Sequence, residues 1–372
     1  MAEIAVPSHS APHSRSLVRG RSLRGRLAQL LAHVAIIGVG LFFLVPFVWM
    51  FSTSLKSDQD VFRVPPTWLP HDNRRVMLNG QELPIYRVQV PGENGEAGPV
   101  QELALVSIAE GYGTFLDPAN PTAEAQQIRM RYAEPVLEVG LRWRNYLDAI
   151  NTASRPSMGV TFWTYVQNSL AIAILSIIGT LISCAPAAYG FARVRWPGRD
   201  LVFFIVLATM MLPFQVTMIP LYLYFTGTLG WGNTYLPLVV PTFFGNGFDI
   251  FLLRQFFRTI PEELADAARV DGASEFRIFW NIMLPLSVPV LATITVFTFL
   301  WAWNDFQGPL IYLTDPRRFT MALGLQDYQQ QHAVAWNQLM AASVMFTVPI
   351  IVLFFFAQRT FIQGVKLTGL KG

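Results

Sequence analysis

Residues 259–285 read TIPEELADAARVDGASEFRIFWNIMLP, a charged stretch set between two long apolar segments. Thr259 followed three residues later by Glu262 has the form of a capping box, which predicts a helix start there. Pro261 suits the first turn of that helix, where its missing N–H is not needed. Leu264, Ala267, Ala268 and Asp271 lie three or four apart and share one face. Two alanines make that face smooth enough for another surface to approach closely. Gly272 stands where the helix should stop, since glycine accepts the left-handed backbone of a sharp reversal. Ser274 then caps a second helix through Phe276, Phe279, Ile282 and Met283, and Pro285 opens the next apolar segment. At a membrane surface, a helix–turn–helix of this kind is a docking element.

The membrane follows from composition. The 372 residues are 52% hydrophobic and 14% charged, whereas soluble domains run near ~25% charged. Leu27 to Leu55 contains no Lys, Arg, Asp or Glu. A helix crosses a bilayer with about 20 apolar residues, so the first span is expected within 27–55, near 31–53. Further apolar runs predict spans within 159–192, at 201–224, 236–256 and 286–304, and at 338–358. Pro213 and Pro220 in the third predict a bend, either a static kink or one used in alternating access. Asp249 lies within the fourth, and intramembrane carboxylates face a cavity or a partner. It is a candidate for the solute pathway or for a structural hydrogen bond. The fold class expected is an all-α membrane protein of six transmembrane helices.

The polar parts fall between and beyond these spans. Residues 1–26 form a basic tail with five arginines and no acid after Glu3. No signal-peptide cleavage pattern is expected there. Residues 56–155 form an insert between the first two spans, β-rich over about 71–140. Turn signals at Asn79-Gly80, 91–95 and 111–113 separate alternating runs at 85–90, 102–108 and 128–132. The insert is either a decorated loop or a platform for a soluble partner. The transmembrane core is expected over 156–360, with the charged loop at 254–285, and a Gly- and Lys-rich tail over 361–372.

The charged loop also carries a resemblance. Asp266-Ala267-Ala268, Gly272, Ile282 and Leu284-Pro285 reproduce the spacing of the EAA loop of permease subunits of binding-protein-dependent ABC importers, with Asp in place of the usual Glu at 266. The ending Trp303-Asn304-Asp305, followed by Pro309-Leu310, resembles the carbohydrate branch, of the maltose-type second permease kind. The resemblance covers about 27–70 and 141–372 and leaves the insert unmatched. It implies that Glu263, Asp266, Ala267, Ala268, Asp271, Gly272, Leu284 and Pro285 couple to an ATPase. It implies that the tail, at Gly364, Gly369 and Lys371, contacts the same ATPase. Asn304, Asp305 and Asp249 are the pathway candidates. The partners implied are a second permease, a cytoplasmic ATPase dimer holding ATP and Mg, an extracytoplasmic solute-binding protein and membrane lipid. No nucleic acid is expected.

Charge placement gives an orientation. The basic tail, the Arg193–Arg199 loop, the 254–285 loop and the C-terminus carry five, three, four and three Lys or Arg. The two short loops opposite carry none and two. Both termini and the charged loop are therefore expected in the cytoplasm, with the insert outside a bacterial or archaeal cytoplasmic membrane. No Walker A motif is present, so ATP hydrolysis is expected in another chain, and this one is not expected to be an enzyme. Five scattered histidines suggest no metal site, and the single Cys184 suggests a packing role. An importer of glycerol-3-phosphate or a polyol is the alternative within the class. An ion-coupled secondary transporter would need coupling carboxylates and repeats, for which Asp249 and Asp305 are thin support. A membrane enzyme would need a clustered acid–base set, which the sequence lacks.

Overall fold

The computed structural model describes residues 23–78, 80–91, 97–121, 124–152, 158–326, 328 and 335–368. The chain divides into two units, Met1–Trp49 and Met50–Gly372. The first unit supplies most of helix α1 (Leu23–Ser54). Its stretch Gly25–Ser54 is long and apolar enough to cross a membrane.

The second unit opens with a short helix α2 (Asp58–Val61) and then the insert. Its strands are β1 (His71–Asn73), β2 (Arg75–Leu78), β3 (Gln81–Pro91), β4 (Ala97–Ala109), β5 (Tyr112–Leu116), β6 (Gln126–Arg129), β7 (Ala133–Pro135) and β8 (Leu137–Val139). The expected strands at 85–90 and 102–108 fall inside β3 and β4. The third, 128–132, is β6 continued by a 3₁₀ turn at Met130–Tyr132. A two-residue turn joins β4 to β5, with Glu110 at φ 50° and Gly111 at φ 80°, the positive-φ pair that matches strand twist.

The main sheet runs β2-β3-β4-β5-β6, and β7 pairs with β3. In a flat sheet β6 and β7 would lie about 19 Å apart, four strand spacings of about 4.8 Å. Only the three residues of the 3₁₀ turn separate them, a reach of about 14 Å. The sheet therefore curls nearly closed. Tyr86 and Val88 on β3 and Leu103 and Leu105 on β4, each pair two apart as one strand face requires, fill the inside with Phe115 of β5 and Ile128 of β6.

The helical part follows. Helix α3 (Arg144–Thr152) leads to α4 (Phe162–Ala192), 31 residues capped by Thr161 and Thr164. The next expected span, 201–224, is not one kinked helix. It breaks into α5 (Arg199–Thr209) and α6 (Phe214–Tyr222), the latter extended by a π turn to Thr228, with an 89° bend between them. Pro213 ends the first piece because it offers no N–H and holds Leu212 away from helical geometry.

The fourth span is also interrupted. It comprises α7 (Leu236–Val239), a 3₁₀ turn over Val240–Phe244, and α8 (Gly247–Thr259). Gly245, at φ 78°, makes the break. The charged loop holds α9 (Glu262–Val270) and α10 (Glu275–Ile278). A π turn over Phe279–Met283 and α11 (Leu284–Leu286) then bend by 76° into α12 (Val288–Asn304). After α13 (Gln307–Tyr312) and α14 (Met321–Gly324), α15 (Trp336–Thr368) closes the chain. Among the described residues four helices could each cross a membrane, and six spans result if each bent pair is one.

Helix α4 is the centre of this arrangement, packed against α8, α12 and the 240–244 turn. At Gly179 a Cβ would collide with Thr242 and Phe243, so the close approach needs glycine. Cys184, Ala188, Leu253, Phe257, Ala265, Ile278, Met283 and Ile294 form one buried core, which joins α4, α8 and α12 to the charged loop. At the base of the insert, buried Asn145 donates to the carbonyls of Ser54 and Lys56, both at 2.8 Å. Tyr146 shares a hydrogen bond with Ser54 Oγ at 2.8 Å.

Candidate functional site

The charged loop begins differently from the sequence expectation. Thr259 does not cap α9. It is the last residue of α8, and its hydroxyl donates to Phe256 O at 2.7 Å. Ile260 is extended, and Pro261 is the residue before α9, with no side-chain cap. Thr259 has a backbone carbonyl within reach one turn back, so the preceding helix claims it. The other end follows the sequence. Gly272 has φ 80°. Ala273 N donates to Ala268 O at 2.9 Å and Gly272 N to Arg269 O at 3.0 Å. These two bonds are the Schellman closure of a helix. Ser274 Oγ then accepts from Arg277 N and caps α10. Pro285 lacks the N–H that would continue the ladder, and the π turn just before it absorbs the defect.

The exposed face of α9 differs by one position. Ala265 is buried in the core, and Ala268, three residues on, turns partly inward beside it. Leu264, Ala267 and Asp271 stay exposed, with Glu263 and Asp266 flanking them. Val270 is 87% exposed and Phe276 72%, both missed by the spacing argument. An apolar residue this bare beside a smooth helix is the signal that identifies them. Leu284 is partly buried against the core and Pro285 is exposed.

Two groups of side chains fix the loop to the bundle. Arg193, just past α4, donates to Phe257 O at 2.5 Å and also to Ile260 O. Arg254 on α8 donates to Phe191 O at 3.1 Å and lies over the Phe203 ring at 4.1 Å. The second group starts at Asp266. Its Oδ1 accepts from Arg269 Nη1 at 2.7 Å. Arg269 Nε donates to Glu275 Oε1 at 2.8 Å, and Tyr189 of α4 donates to Glu275 Oε2 at 2.5 Å. The paired carboxylates hold the Arg269 guanidinium still further above its ordinary pKa, Glu275 chiefly.

A cavity of about 550 Å³ lies between α4, α8 and α12. Thr180, Thr242, Asn246, Asp249, Phe297 and Trp301 are among its walls. Asp249 is reached because the helix break restarts α8 at Gly247 and puts it in the first turn. Asn246 Oδ1 accepts from Asp249 N at 2.9 Å, and Asn246 Nδ2 donates to Asp249 Oδ2 at 2.5 Å. Asp249 thus makes the structural hydrogen bond and lines the cavity. Asn304 and Asp305 are not among the lining residues. Asn304 Nδ2 donates to Leu300 O at 2.7 Å, and Asp305 Oδ1 accepts from Gly308 N at 3.0 Å as a turn cap for α13. Sequence reasoning missed Thr180, Asn246 and Trp301, although Pro241 and Gly245-Asn246-Gly247 signal the break that exposes them. In the tail, Gly364 falls in α15, while Gly369 and Lys371 lie outside the described residues.

A family model described as binding-protein-dependent transport system inner membrane component matches residues 179–367. The match covers the charged loop and the cavity and omits the insert. The arabinooligosaccharides transport system permease protein AraQ of Halalkalibacterium halodurans is 37% identical over 57% of this chain and 75% of its own length. The trehalose/maltose transport system permease protein MalG of Thermococcus litoralis is 32% identical over 64% of this chain and 84% of its own. The sn-glycerol-3-phosphate transport system permease protein UgpE of Salmonella typhi is 34% identical over 59% and 79%. Among solved structures, a chain of a bacterial ABC transporter involved in the import of the acidic polysaccharide alginate shares the fold. It has a TM-score of 0.62 at 21% identity, over 91% of this chain and 98% of that one.

Proposed function

Because the chain belongs to the family of binding-protein-dependent transport system inner membrane components, we propose that it is one of the two permease subunits of an ATP-driven importer for a sugar or oligosaccharide. The observation that carries this is the charged loop. Its two short helices are rooted in the bundle core, while Leu264, Ala267, Val270 and Asp271 remain outside it. Such an element is rigid on one side and free on the other, which is what docking to a moving partner requires. The partner is a cytoplasmic ATPase dimer, which binds ATP and Mg. Closure of that dimer carries the docked loop with it and reorients the path through the membrane. Glu263, Asp266, Ala267, Asp271 and Gly272 act at the docking surface. Ala268 and Leu284 seat the loop on its own bundle, and Pro285, exposed, acts with the docking surface. The tail beyond Gly364, with Gly369 and Lys371, reaches the same ATPase.

The orientation follows from charge: both termini and the loop lie in the cytoplasm, the insert outside, facing a solute-binding protein. The solute is carbohydrate in character. Aromatic faces at Phe297 and Trp301 and hydroxyls at Thr180 and Thr242 suit a sugar's apolar faces and hydroxyl rim. Asp249 in the same wall, with no Lys or Arg among the described lining residues, favours an uncharged sugar over glycerol phosphate. Asn304 and Asp305 act beside the path, in positioning the end of α12.

The test is affinity purification from native membranes in a mild detergent. A second permease and an ATPase are expected to accompany the chain. If it comes down alone and transports without ATP, an ion-coupled secondary transporter replaces this reading.

A further inference from the structure

Helix α4 touches both ends of the machinery. Thr180 lines the cavity. Nine residues on, about 13 Å along the helix, Tyr189 bonds the second helix of the charged loop through Glu275. One turn further, Arg193 holds the carbonyls at the start of the loop. The same helix thus grips the loop at two points and forms a wall of the cavity.

The two grips differ in kind. Arg193 holds backbone, which any sequence of the loop would offer. Tyr189 holds a side chain that is itself part of a chain of charges. Glu275 is shared between Tyr189 and Arg269, and Arg269 is shared between Glu275 and Asp266. Asp266 is the acid of the docking motif. Three contacts therefore join the docking surface to α4, and the one that crosses from loop to bundle is the tyrosine hydroxyl. Tyr189 is 6% exposed, with its ring against Phe257 and Phe279 at centroid distances of 6.3 and 5.2 Å. Ring packing alone tolerates sliding. Tyr189 is buried while Glu275 reaches the surface, and a hydrogen bond to a carboxylate is directional and stronger than one between neutral groups.

We propose that the Tyr189 hydroxyl is the positioning group that couples loop to cavity, fixing Glu275, and through Arg269 the motif acid Asp266, to the register of α4. Movement of the docked loop is then delivered to the helix that lines the cavity. This rests on the importer reading above. Removing the hydroxyl leaves Asp266, Arg269 and Glu275 joined, so the loop keeps its own shape and its docking face. What it loses is the side-chain tie to α4, while the grip of Arg193 on the backbone stays. Tyr189→Phe should therefore separate ATP hydrolysis from movement at the cavity, a separation that a merely structural role does not produce.

The experiment uses the whole transporter, purified with its companion permease and ATPase and held in lipid nanodiscs. A cysteine is placed in the cavity wall by Phe297→Cys, and its reaction with a charged thiol reagent is followed with and without ATP. A parent with Cys184 alone gives the background, and no solute is needed. In the Tyr189 form, ATP changes the labelling rate. With Tyr189→Phe, hydrolysis should stay within about twofold, while the labelling change per ATP hydrolysed should fall about tenfold. Glu275→Gln, which leaves the tyrosine ring in place, should act in the same direction. An unchanged labelling response per ATP in Tyr189→Phe overturns the proposal. So does an equal fall of hydrolysis and labelling, which would make the hydroxyl a folding contact. If the wild-type chain brings no ATPase with it, the importer reading fails first and the proposal with it.

Discussion

Arg193 and Arg254 cap one another's helices. Arg193, at the end of α4, donates to Phe257 O and Ile260 O at the end of α8. Arg254, on α8, donates to Phe191 O at the end of α4. The last carbonyls of a helix have no partner within it and carry its negative end, so a guanidinium suits both needs. The exchange locks the two helix ends side by side and fixes where the charged loop departs.

Arg193→Ala removes one half of this exchange. Ile260 O loses its guanidinium donor and Phe257 O keeps only Ile260 N at 3.4 Å, at a cost of about 1–3 kcal/mol for a group left unsatisfied. Amide hydrogen exchange over 257–275 should become faster, while exchange within α12 stays as it was. Uniform protection across both segments would show that the guanidinium is dispensable.

Gly272→Arg tests the reversal between α9 and α10. The site has open space around it, so bulk is not the obstacle. The obstacle is φ 80°, which costs an L-residue about 1–2 kcal/mol. Uptake should be lost with the membrane abundance of the protein unchanged. Normal uptake would remove the loop from the coupling machinery.

Asp249→Asn keeps an acceptor for Asn246 and removes the charge from the cavity wall. Protein level and thermal stability in detergent should match wild type, and sugar uptake should fall severalfold. Asp249→Ala should in addition lower stability by about 0.5–2 kcal/mol through loss of the reciprocal cap. If Asp249→Asn transports normally, Asp249 serves the helix start alone.

Asn145→Ala strips the donor for Ser54 O and Lys56 O at the base of the insert. Asn145 is 1% exposed, so water does not replace it. The midpoint of thermal unfolding in detergent should drop by several degrees. Asn145→Asp keeps the shape but cannot donate, and should be at least as damaging.

The spans, the β-rich insert and the Gly272 turn were legible because each rests on local chemistry. A run such as 27–55 without a charge has one stable solution in a bilayer, and a positive-φ turn wants glycine wherever it stands. The start of α9 was misread because Thr259 can serve two helices, and the choice depends on where α8 ends. Ala268 was misplaced because spacing gives a shared face and not the direction in which it points.

The sequence by itself determined that this chain is a helical membrane protein with a charged loop whose first helix ends at Gly272. Composition and spacing suffice for that, since hydrophobic length and backbone sterics act residue by residue. Only the tertiary structure decided what the loop is attached to. Tyr189 and Glu275 are 86 residues apart in the chain, and nothing in the sequence around either announces the bond between them. Thr180, Asp249 and Trp301 meet in one wall for the same reason. Partners of this kind are chosen by how α4, α8 and α12 pack, and packing is a property of the whole chain.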